Sequence, residues 1–173
     1  MRRLIGVVLI GVLVAGGVFA ATIETDATNQ GVWSWIHKNL TASQLASTVR
    51  DYEDVTAVNA LTYDECGKTI FLNSATEFAT TLPVPIAGCS FRIIVKAAPV
   101  GAAYTVVTSG GSNLIDGSAT VNGSAVAAVN EDTITFTASA AVSGDWVHLV
   151  SDGTNWYVSG QGVAATSIAF TAT

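Results

Sequence analysis

Basic side chains run out early in this chain: no lysine or arginine follows Lys96. The stretch 97–173 holds five acids, Asp116, Glu131, Asp132, Asp145 and Asp152, and nothing to balance them. A surface of that sign repels phosphate, so nucleic acid is excluded as a partner of this half. Charge of either sign is scarce, at 12% of residues, and the net charge is −6. AVILMFWYC residues nevertheless make up 50%, which excludes a disordered polyelectrolyte tail. Histidine occurs twice, at His37 and His148. Any Ser-His-Asp triad would have to use one of these two, and neither has His, Cys or carboxylate neighbours at ligand spacing. No HExxH, CxxC, Walker A loop, GxSxG elbow or EF-hand loop is present. The acid pairs Asp64-Glu65 and Glu131-Asp132 sit among turn residues, where solvated side chains account for them better than a glycosidase pair. The expectation is no enzymatic activity, no cofactor and no metal.

What is present is unevenly distributed over a length of 173 residues, enough for one ordinary domain and a tail. Arg2 and Arg3 precede an uncharged run from Leu4 to Ile23. As a helix, twenty residues reach about 30 Å, the thickness of a bilayer's hydrocarbon core. Val18-Phe19-Ala20 before Ala21 also has the small residues a signal peptidase reads. Segment 1–23 is therefore read as a membrane anchor or a cleaved signal, and either places the rest outside the cytoplasm or inside a particle with its own membrane. The arginines on one side and acids from Glu24 onward agree with that orientation.

Segment 24–60 is read as a helical stalk and acidic linker. Val32, Ile36 and Leu40 recur at helical spacing, Leu45 and Val49 continue a face, and Thr28 or Asn29 caps the start. Trp33 and Trp35 are candidates for a membrane interface, or equally for packing on a neighbour. His37 beside Lys38 reads as solvated. Asp51, Glu53 and Asp54 make the linker acidic.

From 61 to 173 the helical period vanishes. Short β-branched runs bounded by turn residues cover Lys68–Asn73, Glu77–Pro83, Ser90–Lys96, Tyr104–Thr108, Asp132–Ala138, Asp145–Ser151, Asn155–Ser159 and Ser167–Thr171. The fold expected is mainly β, an antiparallel sandwich or jelly-roll-like domain, preceded by an N-terminal transmembrane helix and an amphipathic helical stalk. The clearest hairpin turns at Ser151-Asp152-Gly153-Thr154, with Asp-Gly supplying the positive φ. Trp146 and Trp156 would pair across it, and with Tyr157 they are also the candidates for an exposed aromatic platform. Many inward positions are Ala, Val and Thr, which suits thin sheets and a repeated subunit interface. Cys66 and Cys89 fall in the exported portion, where either a disulfide or two buried thiols is compatible with the residues. A bond closing that loop would contribute about 3 kcal/mol.

The segment YDECGKTIFLNSATEFATTLPVPIAGCSFRIIVKAAP resembles a block in small virion proteins of bacteriophages. There a Gly-Lys-Thr opening leads into a strand, a TLP-x-P element follows, and the next strand ends in Val-Lys. TSGGSNLIDGSATVNG and GDWVHLVSDGTNWYVSGQG are similar to the closing strands of those domains, so the likeness spans roughly residues 62–162. It implies a non-enzymatic β domain of the capsid-decoration, head-fibre or spike type, commonly trimeric, with other capsid proteins as partners. No functional residue carries over: Gly67, Lys68, Pro83, Gly117, Asp152, Gly153 and Trp156 match positions that set turns or core. The uncharged run at 4–23 departs from the decoration proteins of tailed phages and implies a virion with an internal lipid membrane. The alternatives are a secreted bacterial surface or filament protein, and a receptor- or carbohydrate-binding module.

Overall fold

A computed structural model describes residues 8–14, 17–23, 51–74 and 76–172. They divide into an N-terminal unit ending at Val49 and a second unit from Arg50 onward. In the first, β1 (Val8–Val14) and β2 (Gly17–Ile23) pair antiparallel with Val8 opposite Ile23. The transmembrane helix expected over this run is thus not what the described residues form. None of their helices is long and apolar enough to cross a membrane. Val8, Ile10, Val12, Val14 and Val18 favour extended backbone, and Gly6, Gly11, Gly16 and Gly17 weaken a helix. An uncharged run cannot separate the two conformations by periodicity. The stalk helix expected over 28–50, with Trp33, Trp35 and His37, lies outside the described residues.

The second unit is a sandwich of two sheets. The chain first zigzags between them, through β3 (Tyr52–Val55), β4 (Asn59–Ala60), β5 (Thr69–Leu72), β6 (Ala79–Thr81), β7 (Ser90–Val95) and β8 (Tyr104–Val107). Then come the hairpin β9 (Ile115–Val121) and β10 (Ser124–Glu131), β11 (Thr133–Phe136), the hairpin β12 (Trp146–Ser151) and β13 (Trp156–Gly162), and β14 (Ile168–Thr171). One sheet has the order β10-β9-β13-β12-β7-β5-β3, the other β14-β11-β8-β6-β4. Both are mixed, which corrects the antiparallel expectation. Because strands alternate between sheets from β3 to β8, each returns beside its predecessor in the same direction, so β3, β5 and β7 are parallel, as are β4, β6 and β8. The acids read as linker belong to the sandwich: Glu53 and Asp54 lie on β3, the edge strand of the larger sheet.

All eight strands marked by sequence pattern are present, and most alternate buried and outward-facing side chains. Ile70, Leu72, Phe91, Ile93, Val147, Leu149 and Trp156 enter the core from the seven-stranded sheet, and Tyr104, Val106, Ile134, Phe136 and Ile168 from the five-stranded one. Tyr104 is fully buried yet satisfied, donating its hydroxyl to the Ser74 carbonyl and accepting the Ser74 N–H. Four strands carry no such pattern: β3 and β4, in the segment expected to be stalk and linker, and β9 and β10, rich in Gly, Ser, Ala and Asn, of which the resemblance alone covers β9. β9 and β10 are joined by Asn122-Gly123 with φ of 49° and 77°, a turn whose twist matches the strands it connects.

Gly117 shows why this hairpin needs its glycine. Its φ is +133°, and an added Cβ would lie 2.1 Å from the Val158 carbonyl oxygen on β13. Both strain and collision therefore oppose any side chain there. Gly117→Ala should lower the unfolding free energy by about 2 kcal/mol or more. Chemical denaturation would measure this; an unchanged midpoint would refute the close approach.

Candidate functional site

The outer face of the seven-stranded sheet gathers most of this domain's unusual chemistry. Strand register draws two rows across it. One runs Asp54, Phe71, Ile94, Trp146, Gln161, Thr120, Ala125, and the other Tyr52, Thr69, Arg92, His148, Ser159, Ser118, Ala127. In these two rows the β3–β12 half carries the aromatics and the charges, Asp54 and Arg92, and the β13–β10 half is small and uncharged. Arg92 projects outward because Phe91 and Ile93 on either side of it point into the core. Its guanidinium carbon sits 4.5 Å above the Trp146 ring, close enough for a cation–π contact. Tyr52 is 66% exposed and meets Phe71 edge-on at 6.0 Å, with Lys96 Nζ 5.8 Å from the same ring. Of the bases at positions 51–172, Lys68 pairs with Glu53 and Glu65 and Lys96 with Asp54, whereas Arg92 makes no ion pair among the described residues.

The residues singled out by sequence distribute as follows. Cys66 and Cys89 are bonded to each other, joining the loop before β5 to the start of β7. Trp156 is fully buried against Phe91, with ring centroids 5.8 Å apart. It sits opposite Ser151, while Trp146 sits opposite Gln161 at the other end of the hairpin. The two indoles therefore neither pair nor share a surface. Trp146 and Trp156 begin their respective antiparallel strands, which puts them at opposite ends, and their burial puts them on opposite faces. The platform expected of Trp146, Trp156 and Tyr157 is not assembled; Trp146 is half-buried under Arg92 and Tyr157 is exposed. His148 lies opposite Arg92. Among the described residues no three His, Cys, Asp or Glu side chains gather as metal ligands.

Two acids lie deeper than the sequence suggests. Asp132, read as a solvated turn residue, is buried where β10 crosses to β11, and accepts the Thr133 hydroxyl. Asp145 is also buried: Oδ2 accepts the Val142 N–H at 3.0 Å, and Oδ1 the Val163 N–H at 2.9 Å. That carboxylate clamps the entry to β12 onto the turn after β13. A buried clamp of this kind holds loops in place and leaves no lone acid free for chemistry. Sequence gave no signal for it, because its two partners are backbone groups, one of them 18 positions away.

At the tip of the β12–β13 hairpin, Asp152 Oδ1 accepts the Thr154 and Asn155 N–H groups at 2.7 and 2.8 Å, and Tyr157 donates its hydroxyl to Oδ2 at 3.1 Å. The Asn155 and Thr154 N–H bonds hold the Asp152 carboxyl below its ordinary range. Its hydrogen bond and negative charge push the Tyr157 phenol above its own. The class is thus a mainly β protein of two mixed sheets around one core. No protein family, curated protein or solved structure significantly matches this chain.

The tip loses support at both ends of the pH scale. A depressed carboxyl contributes stability above the ordinary carboxylate range and loses it as pH falls through the folded value. A raised phenol contributes below its ordinary pKa and loses it as pH rises through the folded value. Asp152→Asn should therefore flatten both limbs of the melting temperature–pH curve and bring the Tyr157 titration down towards the ordinary tyrosine value. Ultraviolet titration reads the second effect, and an unmoved phenol would exclude the contact.

Proposed function

We propose that this chain is a non-enzymatic structural protein of a bacteriophage virion, a minor capsid, decoration or spike-base component whose β domain packs against other capsid proteins and against copies of itself. The observation that carries this reading is the outer face of the five-stranded sheet. Thr171, Thr133, Val107 and Thr81 form one row, and Ala169, Thr135, Thr105 and Ala79 the next, with no charge among them. A flat, small-residue surface can be desolvated against another protein without stranding a charge, and its hydroxyls supply hydrogen bonds. The resemblance over roughly 62–162 supports the virion setting. In this reading the uncharged run Leu4–Ile23 contacts the particle's lipid bilayer.

One observation favours a second reading, a secreted bacterial surface or filament protein from which the leader has been removed. The Cys66–Cys89 disulfide belongs to an oxidising compartment. The receptor- or carbohydrate-binding alternative loses its aromatic platform with the burial of Trp156.

Intact mass across a density gradient of producing-culture lysate separates the first two. The virion role predicts the full-length mass in a buoyant, DNA-containing fraction. A mass lacking residues 1–20, in soluble or filament fractions, would reject it in favour of the surface protein.

A further inference from the structure

The two sheets expose four edges, and three are guarded. β3 is four residues long and carries Glu53 and Asp54, both held in ion pairs. β4 has two residues, and β14 has four. The fourth edge, β10, is eight residues long, with no proline, no lysine and no charge before Glu131. The uncharged stretch extends back through the hairpin, over fourteen positions from Gly117 to Asn130. Ser124, Ala125, Ala127, Val129 and Asn130 are exposed, with Val129 at 69%. A bulge between Ala128 and Glu131 interrupts only the far end, so Ser124–Ala128 remains a regular, uncharged edge, a template for another strand.

The ladder fixes which backbone groups face outward. Asn122 N–H bonds Gly162 on β13, so even-numbered residues of β9 face β13 and odd-numbered ones face β10. Val121 and Ser124 close the two-residue turn, so Ser124, Val126 and Ala128 direct their N–H and C=O groups to β9. The corresponding groups of Ala125 and Ala127 point away from the sheet. No described strand pairs with them.

We propose that a second copy of this chain occupies that edge, its β10 pairing antiparallel with the first about a two-fold axis near Ala127. Charge selects the occupant. Each copy carries −6, and the stretch 97–173 has five acids and no base. Two copies meeting at β3 would juxtapose acids, whereas at β10 they meet over seven uncharged positions, Ser124 to Asn130. Antiparallel pairing also sets small side chains opposite one another and leaves both sheets continuous. The symmetry is isologous, so this contact joins two copies, not the three that the resemblance implies.

The test is independent of the virion reading, since it needs only purified full-length chain in detergent. Sedimentation equilibrium should give a dimer, and Ala127→Lys should weaken it by about tenfold or more while melting as the parent does. In a hydrogen-bonded antiparallel pair the Cα atoms lie about 5.5 Å apart, within disulfide reach. Ala127→Cys should therefore form a covalent dimer under mild oxidation, and Ser143→Cys, exposed away from the strand, should not. A monomeric parent would overturn the proposal. So would a dimer or trimer that Ala127→Lys leaves unchanged, or equal cross-linking at the two positions.

Discussion

Burying one side of each strand in a single shared apolar layer is the constraint from which most of this structure follows. Twelve short strands from β3 to β14 contribute to it, none longer than eight residues. A strand of four residues offers the core two side chains, too few to hold it alone. The zigzag between sheets solves this by placing successive strands on alternate sides of the same layer, so that Ile70 and Leu72 from one side meet Tyr104 and Val106 from the other. Parallel neighbours are the geometric result. Small residues at the far end complete it: Gly160 on β13 approaches the Trp146 carbonyl and Val147, and Gly162 the Ser167 hydroxyl, more closely than a Cβ would allow.

Strand existence was legible in the sequence wherever β-branched and aromatic residues alternated with polar ones. Sheet order and strand direction were not, because alternation fixes which face a residue occupies and says nothing about its lateral neighbours. The β9–β10 hairpin escaped for another reason. Most of its residues are Ala, Ser, Gly and Thr, so burial contrast is low, and beyond Ile115 only Ala119, Val121 and Ala128 carry its contribution to the core. The apolar run at 4–23 failed differently again. Twenty uncharged residues satisfy the length rule for a helix while their β-branched content favours strands, and periodicity cannot arbitrate. For the candidate site, Arg92 was readable as outward from its Phe91 and Ile93 neighbours. Its partner Trp146 comes from a strand more than fifty positions away, beyond any local signal.

Energetics explain why the acids divide into two kinds. The β3 pairs, Lys68 with Glu53 and Lys96 with Asp54, are partly exposed, and such pairs are each worth about 0–1 kcal/mol. Stability is therefore a poor account of them. Asp145 is different, since two backbone N–H groups that would otherwise be left without partners depend on it. Losing a buried acceptor of that kind costs the desolvation of every donor it served, about 1–3 kcal/mol apiece. The buried acids hold loops, and the surface acids define where other molecules are kept away.

Read along the seven-stranded sheet, that second role becomes a gradient. At β3 the edge is short and charged, and a second strand approaching it would break ion pairs and meet carboxylates of its own sign. Across β7 and β12 the face turns aromatic, with Arg92 stacked over Trp146. From β13 to β10 the charge on this face is Asp116 at one end, and small side chains take over beyond it. Asp116 itself is tied down, accepting the Asn130 N–H and the Asn155 side-chain amide. It thereby ties down the bulged end of β10. The two edges of this sheet thus differ in kind: β3 is short and charged, and β10 is longer, uncharged before Glu131 and paired on one side only among the described strands.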